Sequence, residues 1–191
     1  MLKPASQRAR TQGGSSLVEV LVAILVVSLG VIAMGGLLAS ATRLGKASEM
    51  RAVASLMAAD ISERMKANVA VVSAGNYNLT DAFSASASEP AAPTACAAPK
   101  ACTAAEIAAR DLAEWQRAVF HALPAGTGYI SYDAGAAAAG GAVDVWVAWL
   151  DPTALSTGEF QDIDDLNTKN CPEGFRSKSP QPRCMYFRVG L

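Results

Sequence analysis

From Val20 to Thr42 the sequence runs for 23 residues without a charge, most of them Val, Leu, Ile and Ala. At the helical rise such a run spans about 35 Å, against about 30 Å for the hydrocarbon core of a bilayer. A soluble cytoplasmic fold has no place for it. Residues 1–14 contain Lys3, Arg8 and Arg10 with no acid, and Arg43 closes the run at its other end. The basic leader predicts that residues 1–14 stay cytoplasmic while the rest of the chain crosses the membrane. The whole chain is nearly neutral, with 16 Lys plus Arg against 17 Asp plus Glu. It therefore offers no field to attract nucleic acid.

Two ordinary readings of the run leave one residue unexplained. A cleaved secretory signal has a site in Ala39-Ser40-Ala41, but an apolar region of about 7 to 15 residues is expected there, and this run is longer. A plain single-pass anchor fits the length. Neither explains Glu19, at the lip of the run behind Gly13-Gly14-Ser15-Ser16-Leu17-Val18. A carboxylate at mid-bilayer costs about 2.5 to 3.5 kcal/mol on insertion scales and less near the interface, so it usually has a cationic partner. Residues 15–42 contain no Lys, Arg or His. Cleavage after Gly14 would give Ser15 a positive amine and make Glu19 the fifth residue, one helical turn away. A second subunit displaced along the helix axis would then set its amine against this carboxylate, which is a rule for assembly.

The run Gly14-Ser15-Ser16-Leu17-Val18-Glu19-Val20-Leu21-Val22-Ala23 resembles the class III leader of type IV pilins and pseudopilins, with Ser15 where Phe is usual. The resemblance implies that a prepilin peptidase cuts between Gly14 and Ser15 and methylates the new amino terminus, and that Glu19 docks subunits. It also implies that the apolar segment is retained, first as an inner-membrane anchor and later as the packing helix of a filament. Gly30 and Gly35-Gly36 weaken a helix by about 0.8 to 1.0 kcal/mol each relative to Ala. They suit close packing of membrane helices, and in the family this part of the helix loses order on entering the filament.

Beyond Arg43 no proline interrupts the chain as far as Asn68. Met50, Val53, Ala54, Met57, Ile61 and Met65 recur at spacings of three and four, with Arg43, Lys46, Arg51 and Ser62 largely off that stripe. The expectation is one helix from Ser15 to Asn68: residues 15–42 in the membrane or filament core, residues 43–68 amphipathic and packed on a sheet. Residues 1–14 are then the leader, and residues 69–191 the exported head. Ser73 to Pro99, rich in Ser, Ala, Asn and Pro, reads as a surface connection, with disorder the alternative for residues 84–95. Thr103 and Glu106 form a capping box, and Ala108, Leu112, Trp115, Val119 and Leu123 form a stripe that ends at Pro124. Tyr129–Asp133, Val143–Leu150 and Met185–Leu191 read as strands, the second with Val143, Val145, Val147 and Trp149 on its core face. The fold class expected is α+β: a long N-terminal helix packed on a small antiparallel sheet, with a second, short helix.

Cys96, Cys102, Cys171 and Cys184 are spaced too widely for a zinc site, and an exported head favours disulfides. Three connectivities are possible. Pairing of neighbours, Cys96 with Cys102 and Cys171 with Cys184, is favoured; the second pair resembles the disulfide-bounded carboxy-terminal region of pilins. No catalytic constellation, cofactor motif or metal-ligand cluster is expected. His121, near a helix C-terminus, reads as a solvated residue. Asp162, Asp164 and Asp165 lack the glycine and distal glutamate of a calcium loop and read as a solvated acidic knot. Seven acids and no Lys or Arg lie between Arg117 and Lys169. The end of the chain instead sets Lys169, Arg176, Lys178, Arg183 and Arg188 against Glu173. That contrast suits lateral contact between subunits.

The order of leader, long helix, cysteine-bounded entry to a helix with Asp111-Leu112 and Trp115, the Leu123-Pro124 ending, hairpin and late cysteine pair is similar to the V-type minor pilins. The resemblance implies a low-abundance subunit that primes pilus assembly near the tip and supports adhesion and twitching motility. Its implied partners are the prepilin peptidase, other minor pilins, the major pilin and a tip adhesin. The implied location is the inner membrane of a Gram-negative bacterium before assembly and the extracellular pilus tip afterwards. The alternatives are a minor pseudopilin of type II secretion and a membrane-anchored periplasmic binding module that never polymerises.

Overall fold

Leu17–Ala67 forms α1, a proline-free helix of 51 residues with Glu19 in its first turn and Arg64 and Lys66 in its last. Those charges oppose the partial charges of the helix termini, which favours both ends. The computed structural model describes residues 16–94, 96, 101–135, 141–151 and 170–191. The chain divides into two compact units, Met1–Leu44 and Gly45–Leu191. In the first, Leu17 to Leu44 are helical and exposed, the large Val, Leu and Ile side chains included. α1 is long and apolar enough to cross a membrane.

The second unit is built on the remaining turns of α1. Met50, Ala54, Ala58, Ile61 and Met65 are buried along one stripe, with Val53 and Met57 packed against the same core. A short 3-10 turn, Val69–Val71, follows. α2 runs from Ala104 to Ala122. Its start is fixed by a full capping box: the Thr103 hydroxyl accepts from the Glu106 N–H at 3.3 Å, while the Glu106 carboxylate accepts from the Thr103 N–H at 2.8 Å. Ala108, Trp115, Val119 and Leu123 bury the α2 stripe in the α1 core. The buried Trp115 indole donates its N–H to the Met57 carbonyl at 2.8 Å, a part-buried contact that fixes α2 against α1.

Three antiparallel strands, β1 (Thr127–Asp133), β2 (Ala142–Trp149) and β3 (Arg183–Gly190), form a sheet in sequence order. The register sets Ile130 opposite Val145, and Val145 opposite Phe187. Val143, Val145, Val147 and Trp149 point into the helix-facing core, while Met185, Phe187, Val189 and Leu191 pack against it. Ala148 and Cys184 face the other way, into a second cluster with Phe83, Cys171 and Phe175. Phe175 is carried by α3 (Glu173–Arg176), a single turn that side-chain periodicity is too short to reveal.

The connection after α1 runs largely exposed over the head, as expected of a surface connection, but it is anchored at a few points. Val72, Tyr77, Leu79 and Phe83 are buried. Leu79 exchanges two backbone hydrogen bonds with Ile130, of 2.9 and 2.7 Å, and Asn78 Oδ1 accepts from the Tyr132 N–H at 2.9 Å. The loop thus covers part of the outer edge of β1, and its large side chains are anchors in a background of small polar residues.

Gly128 on β1 faces the Trp115 ring. A Cβ placed there would lie 2.1 Å from Trp115 Cζ3. Gly128→Ala therefore destabilises the head by about 3 kcal/mol, because the buried indole has no room to retreat. Gly174→Ala, where nothing lies within 4 Å, changes stability by less than about 0.5 kcal/mol. Urea unfolding of the two variants checks the contrast; equal midpoints would contradict this packing.

Candidate functional site

The sequence expectations of assembly fall on the first unit. Glu19 is in the first turn of α1, on an exposed position, and the helix starts beside it with the Val20 N–H donating to the Ser16 carbonyl at 3.2 Å. The unbonded N–H groups of a first turn carry partial positive charge, so a carboxylate is favourably placed there. Gly14 and Ser15 lie outside the described residues. The backbone stays helical through Gly30, Gly35 and Gly36, and a Cβ at any of the three would meet no atom within 4 Å.

In the second unit the four cysteines form two local bridges, Cys96–Cys102 and Cys171–Cys184, with Cα separations of 5.8 and 5.2 Å. Cys102 immediately precedes the Thr103 cap, so the first bridge restrains the entry to α2. The second closes a loop that contains α3, and is worth roughly 3 kcal/mol by loop length. Arg176 Nε donates to the Cys171 carbonyl at 2.8 Å. Within the loop Phe175 meets Phe83 and Tyr129, with ring centres 5.8 and 5.7 Å apart. The bridge therefore holds a hydrophobic plug on the face of the sheet opposite α1.

A polar cluster that pattern reading missed joins α1 to α2. Arg64 lies 3.2 Å from Asp60, 3.2 Å from Asp111 and 3.0 Å from Glu114. Arg110 Nε donates to Glu114 at 2.8 Å, and its Nη1 donates to the Cys96 carbonyl at 3.1 Å, which links the cluster to the first disulfide. The Tyr77 hydroxyl donates to Asp111 at 2.6 Å, and Asn68 Nδ2 donates to Tyr77 at 3.2 Å and to the Ala104 carbonyl at 2.8 Å. Hydrogen bonds from Arg110 and then Arg64 hold the Glu114 carboxyl below its usual range. Burial, with Asp111 adding to it, pushes the Tyr77 phenol up to about 12. The available signal was the position of Arg64, Asp111 and Glu114 beside the apolar stripes; the pairing itself depends on how the helices cross.

The contrast between acidic and basic segments is used inside the head. Arg188 pairs with both Asp133 and Asp144, and the Tyr186 hydroxyl donates to Asp144 at 2.7 Å. Arg183 Nε lies 2.8 Å from Asp151, whose side chain is 2% exposed. Antiparallel pairing of β3 with β2 places Arg188 opposite Asp144, so these bases neutralise local acids in their own head. His121 Nε2 lies 3.0 Å from Glu89 at an exposed position, and Glu89 also pairs with Arg117. Asp162, Asp164 and Asp165 lie outside the described residues. Among the described residues no group of three or more His, Cys, Asp or Glu could hold a metal ion.

Tyr77 gives the cluster a pH signature. Its folded-state pKa exceeds the value of about 10 for a free phenol, so the folded chain holds this proton more tightly than the unfolded one. Its contribution is complete below pH 10 and is lost as pH rises towards 12. Denaturant unfolding between pH 9 and 12 should therefore show a steeper fall for the parent than for Tyr77→Phe, by up to about 1.4 kcal/mol per pH unit. Parallel curves would contradict the assignment. Comparison with protein-family models, curated proteins and solved structures finds no match.

Proposed function

We propose that the chain is a minor pilin of the type IV pilus, one that helps to prime assembly and sits near the tip. The observation that carries this reading is the division of labour along α1. Its first turns, from Leu17 to Leu44, present apolar side chains on every side, while its later turns bury only the stripe from Met50 to Met65 in the head. A helix apolar all round needs lipid or other apolar helices around it. A subunit that moves from a bilayer into a helical filament core meets both environments in turn, and keeps its head in water throughout.

Glu19 supplies the addressing step in this reading. It sits in the first turn, five positions from the Gly14 cleavage site that the leader resemblance implies. The amine created on a neighbouring subunit at Ser15 is its partner during docking, and the pairing selects the axial offset between subunits. Low dielectric strengthens the attraction and desolvation opposes it, so the pair acts more through register than through net affinity. The two disulfides suit an exported head. Adhesion and twitching motility follow from the same proposal, because both depend on assembled pili.

Glu19→Ala tests the mechanism in cells that lack the native copy. Leader cleavage and the amount in the membrane should match the parent, since removing a charge at the edge of the apolar run favours insertion. Surface pili should fall several-fold. A variant that assembles pili and enters them as well as the parent would refute the docking role.

A further inference from the structure

Where the head begins, α1 and the C-terminal turn of α2 leave an open groove of about 370 Å³. Lys46, Glu49, Met50 and Val53 form one wall, and residues 120–125 form the other. The floor is apolar, since Met50 and Leu123 are buried. The rim is charged and accessible. Lys46 Nζ lies 2.9 Å from Glu49 Oε2 with the two side chains 58% and 61% exposed, and His121 stands opposite, held by Glu89.

Chain connectivity fixes where this groove works. Lys46 is four residues beyond Thr42, the last residue of the charge-free run. Four residues reach at most about 14 Å even when fully extended, and about 6 Å as a helix. Once the run occupies a bilayer, Lys46 at the mouth of the groove is held within that reach of the apolar boundary. This step rests on the membrane-anchor part of the proposed function.

We infer that the groove seats the headgroup of a zwitterionic phospholipid whose amine is a primary ammonium, the ethanolamine class. The Lys46–Glu49 pair offers a cation and an anion side by side, and a phosphate–ammonium zwitterion laid antiparallel on it meets each charge with its opposite. Lys46 takes the phosphate, and Glu49 takes the ammonium through N–H donors that a trimethylated choline lacks. Headgroups with net negative charge gain less, because Glu49 and the partial negative charge at the α2 C-terminus lie near the site and leave them no ammonium to offset it. The apolar floor accepts the first methylenes of an acyl chain.

The test places the full chain in nanodiscs of equal parts phosphatidylethanolamine, phosphatidylcholine and phosphatidylglycerol and reads retained lipid by native mass spectrometry. Ethanolamine lipid should be retained at least about fivefold over either of the others. The double variant Lys46→Gln, Glu49→Gln should lose that preference, whereas Arg51→Gln, an exposed change outside the groove, should keep it. Equal retention of the three lipids, enrichment of the glycerol lipid, or a preference that survives the double variant would overturn the inference while leaving the anchor reading in place. Failure of the chain to enter nanodiscs would overturn both.

Discussion

In the proposed function one helix has to satisfy two solvents. From Leu17 to Leu44 α1 exposes apolar side chains around its whole circumference, and from Met50 to Met65 it offers a single buried stripe to the head. A helix in water is held mainly by packing of one face, whereas a helix in lipid satisfies its backbone internally and needs no partner to remain helical. The same secondary structure is therefore stable for different reasons in its two parts. The rest of the head is arranged around the stripe that only the second part provides.

That arrangement relies on a few specific contacts in a fold whose sheet has three strands. The Trp115 indole joins α2 to the backbone of α1, and the absence of a side chain at Gly128 leaves room for its ring. Arg64 adds a second join, shared among Asp60, Asp111 and Glu114 and continued through Arg110 to the first disulfide. On the opposite face of the sheet the Cys171–Cys184 bridge keeps Phe175 in place over Tyr129 and Phe83. Covalent bridges and part-buried polar joins of this kind limit the alternatives open to the chain.

Much of this was legible in the sequence where a repeating pattern met a boundary signal. The α1 stripe, the Thr103 capping box and the alternation of Val143, Val145, Val147 and Trp149 each combine a period with a start or stop, and each element lies where those signals put it. Tyr77, Leu79 and Phe83 carried no such pattern. They are single large residues in a segment of small polar ones, and each is covered by a distant partner: the β1 edge for Leu79, Asp111 of α2 for Tyr77 and Phe175 for Phe83. The single turn of α3 was too short for a period to register. The pairs Arg188 with Asp144 and Arg183 with Asp151 read as separate charged regions until the register of β2 and β3 brought them together. As for the candidate site, Glu19 stood out because a carboxylate opening an apolar run demands a reason, whereas the Arg64 cluster and the Lys46–Glu49 groove depend on helix crossings that no linear pattern encodes.

The proposed function makes the N-terminal apolar helix a working part of the mature protein rather than a discarded signal. The mass of the amino-terminal peptide of the membrane-bound protein tests that claim most directly. The account predicts a chain that begins at Ser15 with one methyl group on its amine and retains Glu19 as its fifth residue. A mature chain beginning at Thr42, after Ala39-Ser40-Ala41, would show that the apolar run is removed, and would contradict the account.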